Sequence, residues 1–343
     1  MELKKQNIDW DNLGFNFLPT RSMWKGTCKA DDEWKNGRLI PFGNIEISPA
    51  AGVLNYGQGI FEGMKAFHSV NDRIVLFRPD MNGCRIADSA KRLCMPEIPQ
   101  NYFIDAVKQV VQDNSDFVPP YAKGGLYVRP ALWGTAPTLG VAPASEYTFM
   151  IYTAPVGSYF KGKIKPLNLI VSESYHRAAP KGIGDVKAIG NYSASLQPLM
   201  EAKADGFDEV IYLKADNEKI VEEVGSANIF MRKGNKLVTP KLSGSVLPGI
   251  TRNSIIKLAE DKLSLNVIEG DLLLEDIFNA DELFCTGTAV VVTPVGKVTF
   301  RGDAHLIHNG NMGEVATELR KTLLGIQLEE LDDPYDWVYP VSS

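Results

Sequence analysis

The stretch from Lys181 to Tyr192, KGIGDVKAIGNY, sets one lysine among glycines: Lys187 follows Gly182 and Gly184 and precedes Gly190, Asn191 and Tyr192. Glycine lets backbone approach a flat, bulky group closely. A lysine so placed can form a Schiff base with a carbonyl compound. Taken alone, the stretch also fits a surface loop with a solvated lysine, so residues elsewhere in the chain decide. Glu222 and Glu223, in VEEVGSANIF, end a β-rich run. Alternation along a strand would turn one of them into the fold and the other to water. A buried carboxylate needs a partner, and a protonated ring nitrogen would serve. Two solvated turn glutamates are the local alternative.

Three further groups could hold anions. In LPGITR, Leu247 to Arg252, Pro and Gly precede a helix start, so Ile250 and Thr251 would present backbone N–H groups and a hydroxyl. Gly287-Thr288-Ala289 offers a second donor cluster in a tight turn between strands. Arg85, in a helical pattern, and Arg129, in the strand-like LYVRPALW, carry guanidinium forks suited to phosphate and carboxylate. Helix capping, hairpin chemistry, an exposed helix arginine and a structural ion pair are the respective alternatives. Two glycine-rich patterns fail on inspection. GSYFKGK, Gly157 to Lys163, has Ile164 where a phosphate loop needs Ser or Thr, and Gly57, Gly59 and Gly63 miss the dinucleotide spacing by one residue.

The elements that must position these residues follow from periodicity. Residues 1 to 43 read as irregular. Strands are predicted at Asn44 to Ser48, Arg73 to Arg78, Leu126 to Trp133 and Glu146 to Thr153, with helices at Asp80 to Cys94 and Asn101 to Asp113. In the second half, strands are predicted at Leu167 to Val171, Glu209 to Leu213, Asn228 to Arg232, Leu265 to Ile268, Glu282 to Cys285 and Ala289 to Val292. Helices are predicted at Asn191 to Ala204, Ile250 to Asp261 and Met312 to Leu324. The mixture lacks regular βαβ alternation, which indicates an α+β chain. Its expected division is a small domain over 1–154, a connection over 155–166 and a larger domain over 167–343.

Composition bounds the function. A net charge of −6 gives no general attraction to nucleic acid or to anionic membrane, so an anion site must be local and a small-molecule ligand is indicated. Four scattered cysteines and four histidines lack metal-ligand spacing, so no metal is expected. No signal-like apolar segment or membrane-length apolar run is evident, which makes the cytoplasm the default address.

Taken together, these residues resemble one family, the fold-type IV, pyridoxal-phosphate-dependent branched-chain amino acid aminotransferases. The likeness runs through nearly the whole chain: GFNFLPT, YGQGIFEGMKAF, FRPDMNGCRIADSAKRL, LYVRPALWG, APVGSYF, GDVKAIGNY, EEVGSANIF, LPGITR, CTGTA and WVYPV. It implies a small α/β domain beside a larger β-rich one containing a pseudobarrel, as in D-amino acid aminotransferase. It also implies that Lys187 carries pyridoxal 5′-phosphate as a Schiff base, that Tyr192 hydrogen-bonds the cofactor's phenolate oxygen, and that Glu223 keeps its pyridine nitrogen protonated. Arg85, Ile250, Thr251 and Thr288 would bind the phosphate. Tyr56, Phe61, Tyr127 and Tyr159, with Phe17, match an aromatic wall for an aliphatic side chain, while Arg129 and the N–H groups of Thr288 and Ala289 match carboxylate recognition.

The reaction implied is transamination of L-leucine, L-isoleucine and L-valine with 2-oxoglutarate. Leu139, Gly140 and Val141 match a loop that reaches the neighbouring subunit, which implies a homodimer. A D-amino acid aminotransferase or an aminodeoxychorismate lyase would share the lysine, the glutamate and the phosphate cup; YVRP, PVGSYF and the aromatic N-terminal region argue against both. Two departures stand out. Ile189 replaces the first glycine of the usual KxGGNY, and Val290 and Thr293 occupy positions where some relatives place a CxxC.

Overall fold

The computed structural model describes residues 8–157 and 164–342. They form two compact units, one of residues up to Gly157 with Val186–Ile189 and Gly325 onward, the other of Ile164–Asp185 and Gly190–Leu324.

The first unit holds β1 (Ser22–Lys29), β2 (Asn36–Pro41), β3 (Gly59–Phe61), β4 (Met64–His68), β5 (Ile74–Phe77), β6 (Gly125–Gly134) and β7 (Glu146–Val156). Its helices are α1 (Gly52–Tyr56), α2 (Pro79–Arg92) and α3 (Gln100–Asp113). In α3 the buried residues Phe103, Ala106, Val107, Val110 and Val111 fall at the spacing of one helical face. That face packs on β1 and β7, where Trp24, Trp34, Tyr102 and Phe149 form an aromatic cluster. Proline at its start, Asp80 in the first turn and Lys91 and Arg92 in the last suit α2 to the helix dipole.

The sequence expectations need four amendments here. The first 43 residues are not irregular, because β1 and β2 lie there, β1 pairing with both β2 and β7. Asn44 to Ser48 forms no strand. Pro155 and Val156, expected in the connection, complete β7. The chain beyond Gly325 belongs to the first unit, since Val338–Pro340 pairs antiparallel with β5.

Arg73 and Glu329 tie that closing segment to the β4–β5 hairpin: Arg73 Nε donates to the Glu329 carboxylate at 2.9 Å. This contact holds the Glu329 carboxyl down at about 2. A carboxyl whose pKa falls on folding stabilises the fold only while ionised, so the contribution is complete above about pH 4.5 and is lost as pH falls towards 2. Because Arg73 is half exposed, its size is about 1 kcal/mol. Urea unfolding of wild type and Glu329→Gln should show that gap at pH 7 and a gap that closes as pH falls through about 2.

The second unit holds β8 (Leu167–Val171), β9 (Glu209–Lys214), β10 (Asn217–Val224), β11 (Asn228–Lys233), β12 (Lys236–Pro240), β13 (Asn266–Gly270), β14 (Leu272–Leu273), β15 (Glu282–Gly287), β16 (Val291–Phe300) and β17 (Asp303–Leu306). Their order is β13-β12-β11-β15-β16-β8-β9-β10-β14, with β17 beside β16, and the sheet curls into a nearly closed pseudobarrel in which β14 comes round against β12. Leu169, Ile211, Val221, Ile229, Leu283 and Val298 lie in its core. The helices are α4 (Ile189–Ser193), which begins at the last residue of a first-unit segment, α5 (Leu196–Ala204), α6 (Ile250–Leu263), α7 (Leu274–Ile277) and α8 (Glu314–Gln327), whose end from Gly325 passes into the first unit. Pro198 sits in the first turn of α5, where a missing N–H is harmless. Among the described residues no helix is long and apolar enough to cross a membrane, and no His, Cys, Asp and Glu cluster is placed to hold a metal.

Candidate functional site

Lys187 lies in the segment that joins the first unit, pinned through its backbone. Its carbonyl accepts from Phe61 N–H at 3.1 Å, its N–H donates to Ser89 Oγ at 3.3 Å, and Ala188 bridges Ile60. Its Nζ stands 4.8 Å from the centre of the Phe61 ring. Arg129, on β6, lies over the same ring at 4.6 Å and over Tyr127 at 5.2 Å, and its Nη2 donates to the Tyr127 hydroxyl at 3.1 Å. Gly63 makes room for that hydroxyl, since a Cβ there would overlap it. The first unit therefore gathers Lys187, Phe61, Tyr127 and Arg129.

Arg85 lies next to this group. Its Nε and Nη2 both reach the carboxylate of Glu62 at 2.7 Å, and Glu62, fully buried, also accepts from Asn82 at 2.6 Å. A two-pronged contact of this kind fixes the plane of the guanidinium. Tyr56 stands apart from the ring cluster, its hydroxyl donating to the Leu139 carbonyl. Phe17 packs against Phe42 and Tyr152. Phe15, which sequence reasoning passed over, meets Tyr127 edge-on at 5.5 Å. Tyr159 and most of GSYFKGK lie outside the described residues.

In the second unit, both Glu222 and Glu223 are buried, contrary to the expectation that alternation would expose one. The cause is a β-bulge: Val221 faces Leu213 and Glu223 faces Tyr212, leaving Glu222 as the extra residue between them. Glu222 accepts from the Ser245 hydroxyl, and burial pushes its carboxyl up. Glu223 pairs with Arg177 and accepts from Asn228 Nδ2 at 2.8 Å, while Arg177 Nη2 also donates to the carbonyls of Gly184 and Ser245 at 3.0 and 2.6 Å. Arg177 and Asn228 thus supply the partners that a buried carboxylate needs.

The same amide of Asn228 reaches the Leu247 carbonyl at 3.0 Å, and a Cβ on Gly249 would overlap its oxygen. Glycine is required there by close approach. It also leaves α6 without a side-chain cap, so the N-terminal turn at Ile250 and buried Thr251 keeps the polarity that attracts anions. Tyr192 is half-buried near the end of α4, and Thr288 and Ala289 occupy the turn between β15 and β16.

The family described as amino-transferase class IV matches residues 59–298 of this chain. Branched-chain amino acid aminotransferase 2, chloroplastic, of Humulus lupulus is 48% identical over 336 residues, spanning 98% of this chain and 82% of the relative. The chain belongs to the class IV amino-transferases. Among solved structures, the branched-chain amino acid aminotransferase of Escherichia coli aligns with a TM-score of 0.82 at 29% identity, over 94% of this chain and 100% of that one. The T.th. branched-chain amino acid aminotransferase complexed with N-(5′-phosphopyridoxyl)-L-glutamate aligns with a TM-score of 0.80 at 28% identity, over 95% of this chain and 100% of that one.

In this class IV aminotransferase the replacement of glycine by Ile189 has a local explanation. The Ile189 side chain lies 3.0 Å from the place a Gly59 Cβ would take, so it fills the space that Gly59 leaves. Sequence reasoning missed Arg177, Asn228 and Glu62 as well as Phe15. Asn228 and Glu62 sit inside quoted motifs, EEVGSANIF and YGQGIFEG, and the signal was a polar residue among apolar ones. Arg177 gave no such signal, since it lies in the irregular segment between β8 and α4 and meets Glu223 only in the folded chain.

Proposed function

We propose that this aminotransferase transfers the amino group of L-leucine, L-isoleucine or L-valine to 2-oxoglutarate, giving the branched 2-oxo acid and L-glutamate, using pyridoxal 5′-phosphate. The observation that carries this reading is the buried Glu223 carboxyl group, paired with Arg177 and bonded by Asn228. A cofactor with a basic ring nitrogen fits such a carboxylate, and the uncapped start of α6 fits its phosphate. The substrate class is supported by the name of the hop relative, and glutamate by the phosphopyridoxyl-glutamate complex of the T.th. enzyme.

When bound, the cofactor supplies a sink for the electron pair left at the amino acid Cα. The chain's own residues do the rest. Lys187 would hold the cofactor through its Nζ, and the same Nζ, once free, would carry the Cα proton. Glu223 would keep the ring nitrogen protonated, the Tyr192 hydroxyl would donate to the phenolate oxygen, and Arg85, Ile250, Thr251 and Thr288 would hold the phosphate. Phe61 and Tyr127, with Tyr56, Phe17 and Tyr159, take the aliphatic side chain and exclude water. Arg129, with the Thr288 and Ala289 N–H groups, takes carboxylates. A homodimer belongs to the same proposal: Leu139 and Val141 are 93% and 90% exposed, an apolar tip suited to burial against a second copy.

The test is to load the protein with pyridoxal phosphate and add L-leucine without an oxo acid. Loss of the visible cofactor band and release of the branched 2-oxo acid are expected; a coloured protein inert to L-leucine would overturn the substrate assignment. In Arg129→Leu, kcat/KM for 2-oxoglutarate should fall at least about tenfold more than that for leucine, since only 2-oxoglutarate carries a second carboxylate that would lose a charge partner. Equal losses would remove Arg129 from substrate recognition.

A further inference from the structure

The turn from β15 into β16 is held in a backbone shape that its sequence disfavours. Val291, paired with Gly287 across the hairpin, has φ +59°, in the left-handed region. Hairpin loops that need such a residue ordinarily use glycine, and a β-branched side chain there is an outlier. Left to itself, Val291 would relax to negative φ and rotate the peptide groups beside it.

Three hydrogen bonds oppose that relaxation. Nη1 of Arg320, on α8, donates to the carbonyls of Val290 at 3.0 Å and Val292 at 2.9 Å, gripping both flanks of Val291. The Thr293 hydroxyl donates to the Val290 carbonyl at 2.9 Å. No carboxylate competes for the guanidinium among the described residues, and burial pushes its pKa down. A charged donor directed at two backbone carbonyls on either side of one strained residue acts as a clamp on that residue.

We infer that Arg320 is a positioning residue: by clamping the carbonyls on either side of Val291, it holds the Gly287–Ala289 turn in the shape that receives an anionic group of cofactor or substrate. The inference rests on the assignment of Thr288 and Ala289 made under the proposed function. Arg320 touches no reacting atom in this account; it acts through the turn.

The test compares wild type with Arg320→Met, Arg320→Lys and the double variant Arg320→Met/Val291→Gly. Four quantities are read: the melting temperature, the affinity of the apoprotein for pyridoxal phosphate, KM and kcat for L-leucine and 2-oxoglutarate, and hydrogen exchange in peptides covering 286–293. Arg320→Met should raise both KM values and weaken cofactor binding about tenfold, with kcat within about threefold of wild type. Exchange in those peptides should quicken about tenfold. Arg320→Lys, which keeps the charge but not the fork, should fall between and remains informative if the methionine variant does not fold.

Glycine adopts the left-handed conformation without strain, so the double variant should recover KM and slow exchange. A merely structural arginine would lower the melting temperature and leave KM and local exchange unmoved, and that pattern, or failure of glycine to rescue, overturns the inference. If wild type neither binds pyridoxal phosphate nor transaminates L-leucine, the functional reading fails instead. Exchange and its rescue by glycine would still decide on the clamp.

Discussion

Arg177→Met is expected to lower turnover on the order of a hundredfold, the scale seen when one preorganised electrostatic partner is lost. Its stability should drop by about 3 kcal/mol, because a buried ion pair broken on one side leaves an uncompensated charge. The residues concerned are explicit. Glu222 and Glu223 are neighbours, both buried, and Arg177 is the guanidinium paired with Glu223. Without it, Glu223 loses the guanidinium that fixes its position and becomes a poorer partner for a protonated ring nitrogen. A two-variant cycle separates these effects. Glu223→Gln placed on top of Arg177→Met removes the stranded charge, so the double variant should be more stable than Arg177→Met alone while remaining equally slow. Urea unfolding and steady-state kinetics on the four proteins read both quantities. An Arg177→Met protein as stable and as fast as wild type would show that the pair neither supports the fold nor serves the chemistry.

What the sequence disclosed, and what it hid, follows from the range of the interactions involved. Helices α2, α3 and α6 were legible because their apolar spacing and end residues are local properties; the buried face of α3 repeats every three to four residues within one segment. The strand β1 was hidden because one of its inward positions is Gly26, Met23 and Trp24 stand side by side, and its main partner, β7, is more than a hundred residues away. Asn44 to Ser48 misled for the converse reason: NIEIS alternates well, but no strand pairs with it, and alternation records suitability for a sheet rather than membership of one. The bulge at Glu222 could not be read at all, since it exists only in the register between β9 and β10. At the site, the motifs carrying Lys187, Glu223 and the α6 start were legible as chemistry. Their supports were not, because Arg177 and Arg320 reach them across the fold.

Lys187→Ala is expected to abolish measurable transamination, a loss of at least about ten-thousandfold, while leaving the fold intact. Both parts follow from where Lys187 is attached. The contacts that hold its segment are made by backbone: Phe61 N–H on its carbonyl, its own N–H on Ser89, and the bridge from Ala188 to Ile60. Alanine keeps all three, so the melting temperature of the apoprotein should move by no more than about 2 °C. What alanine removes is Nζ, and in the proposed mechanism that one atom both holds the cofactor covalently and carries the Cα proton. The phosphate and ring-nitrogen contacts should still retain cofactor without the covalent link, so Lys187→Ala should bind pyridoxal phosphate reversibly, yet borohydride treatment should leave the cofactor mass on wild type and not on the variant. Arg129→Leu provides the contrast, since it removes a charge near the same Phe61 ring and should alter substrate choice without eliminating turnover. A Lys187→Ala protein that still transaminated L-leucine at a tenth of the wild-type rate would place the proton carrier elsewhere, and the pinned backbone at Lys187 would then need another explanation.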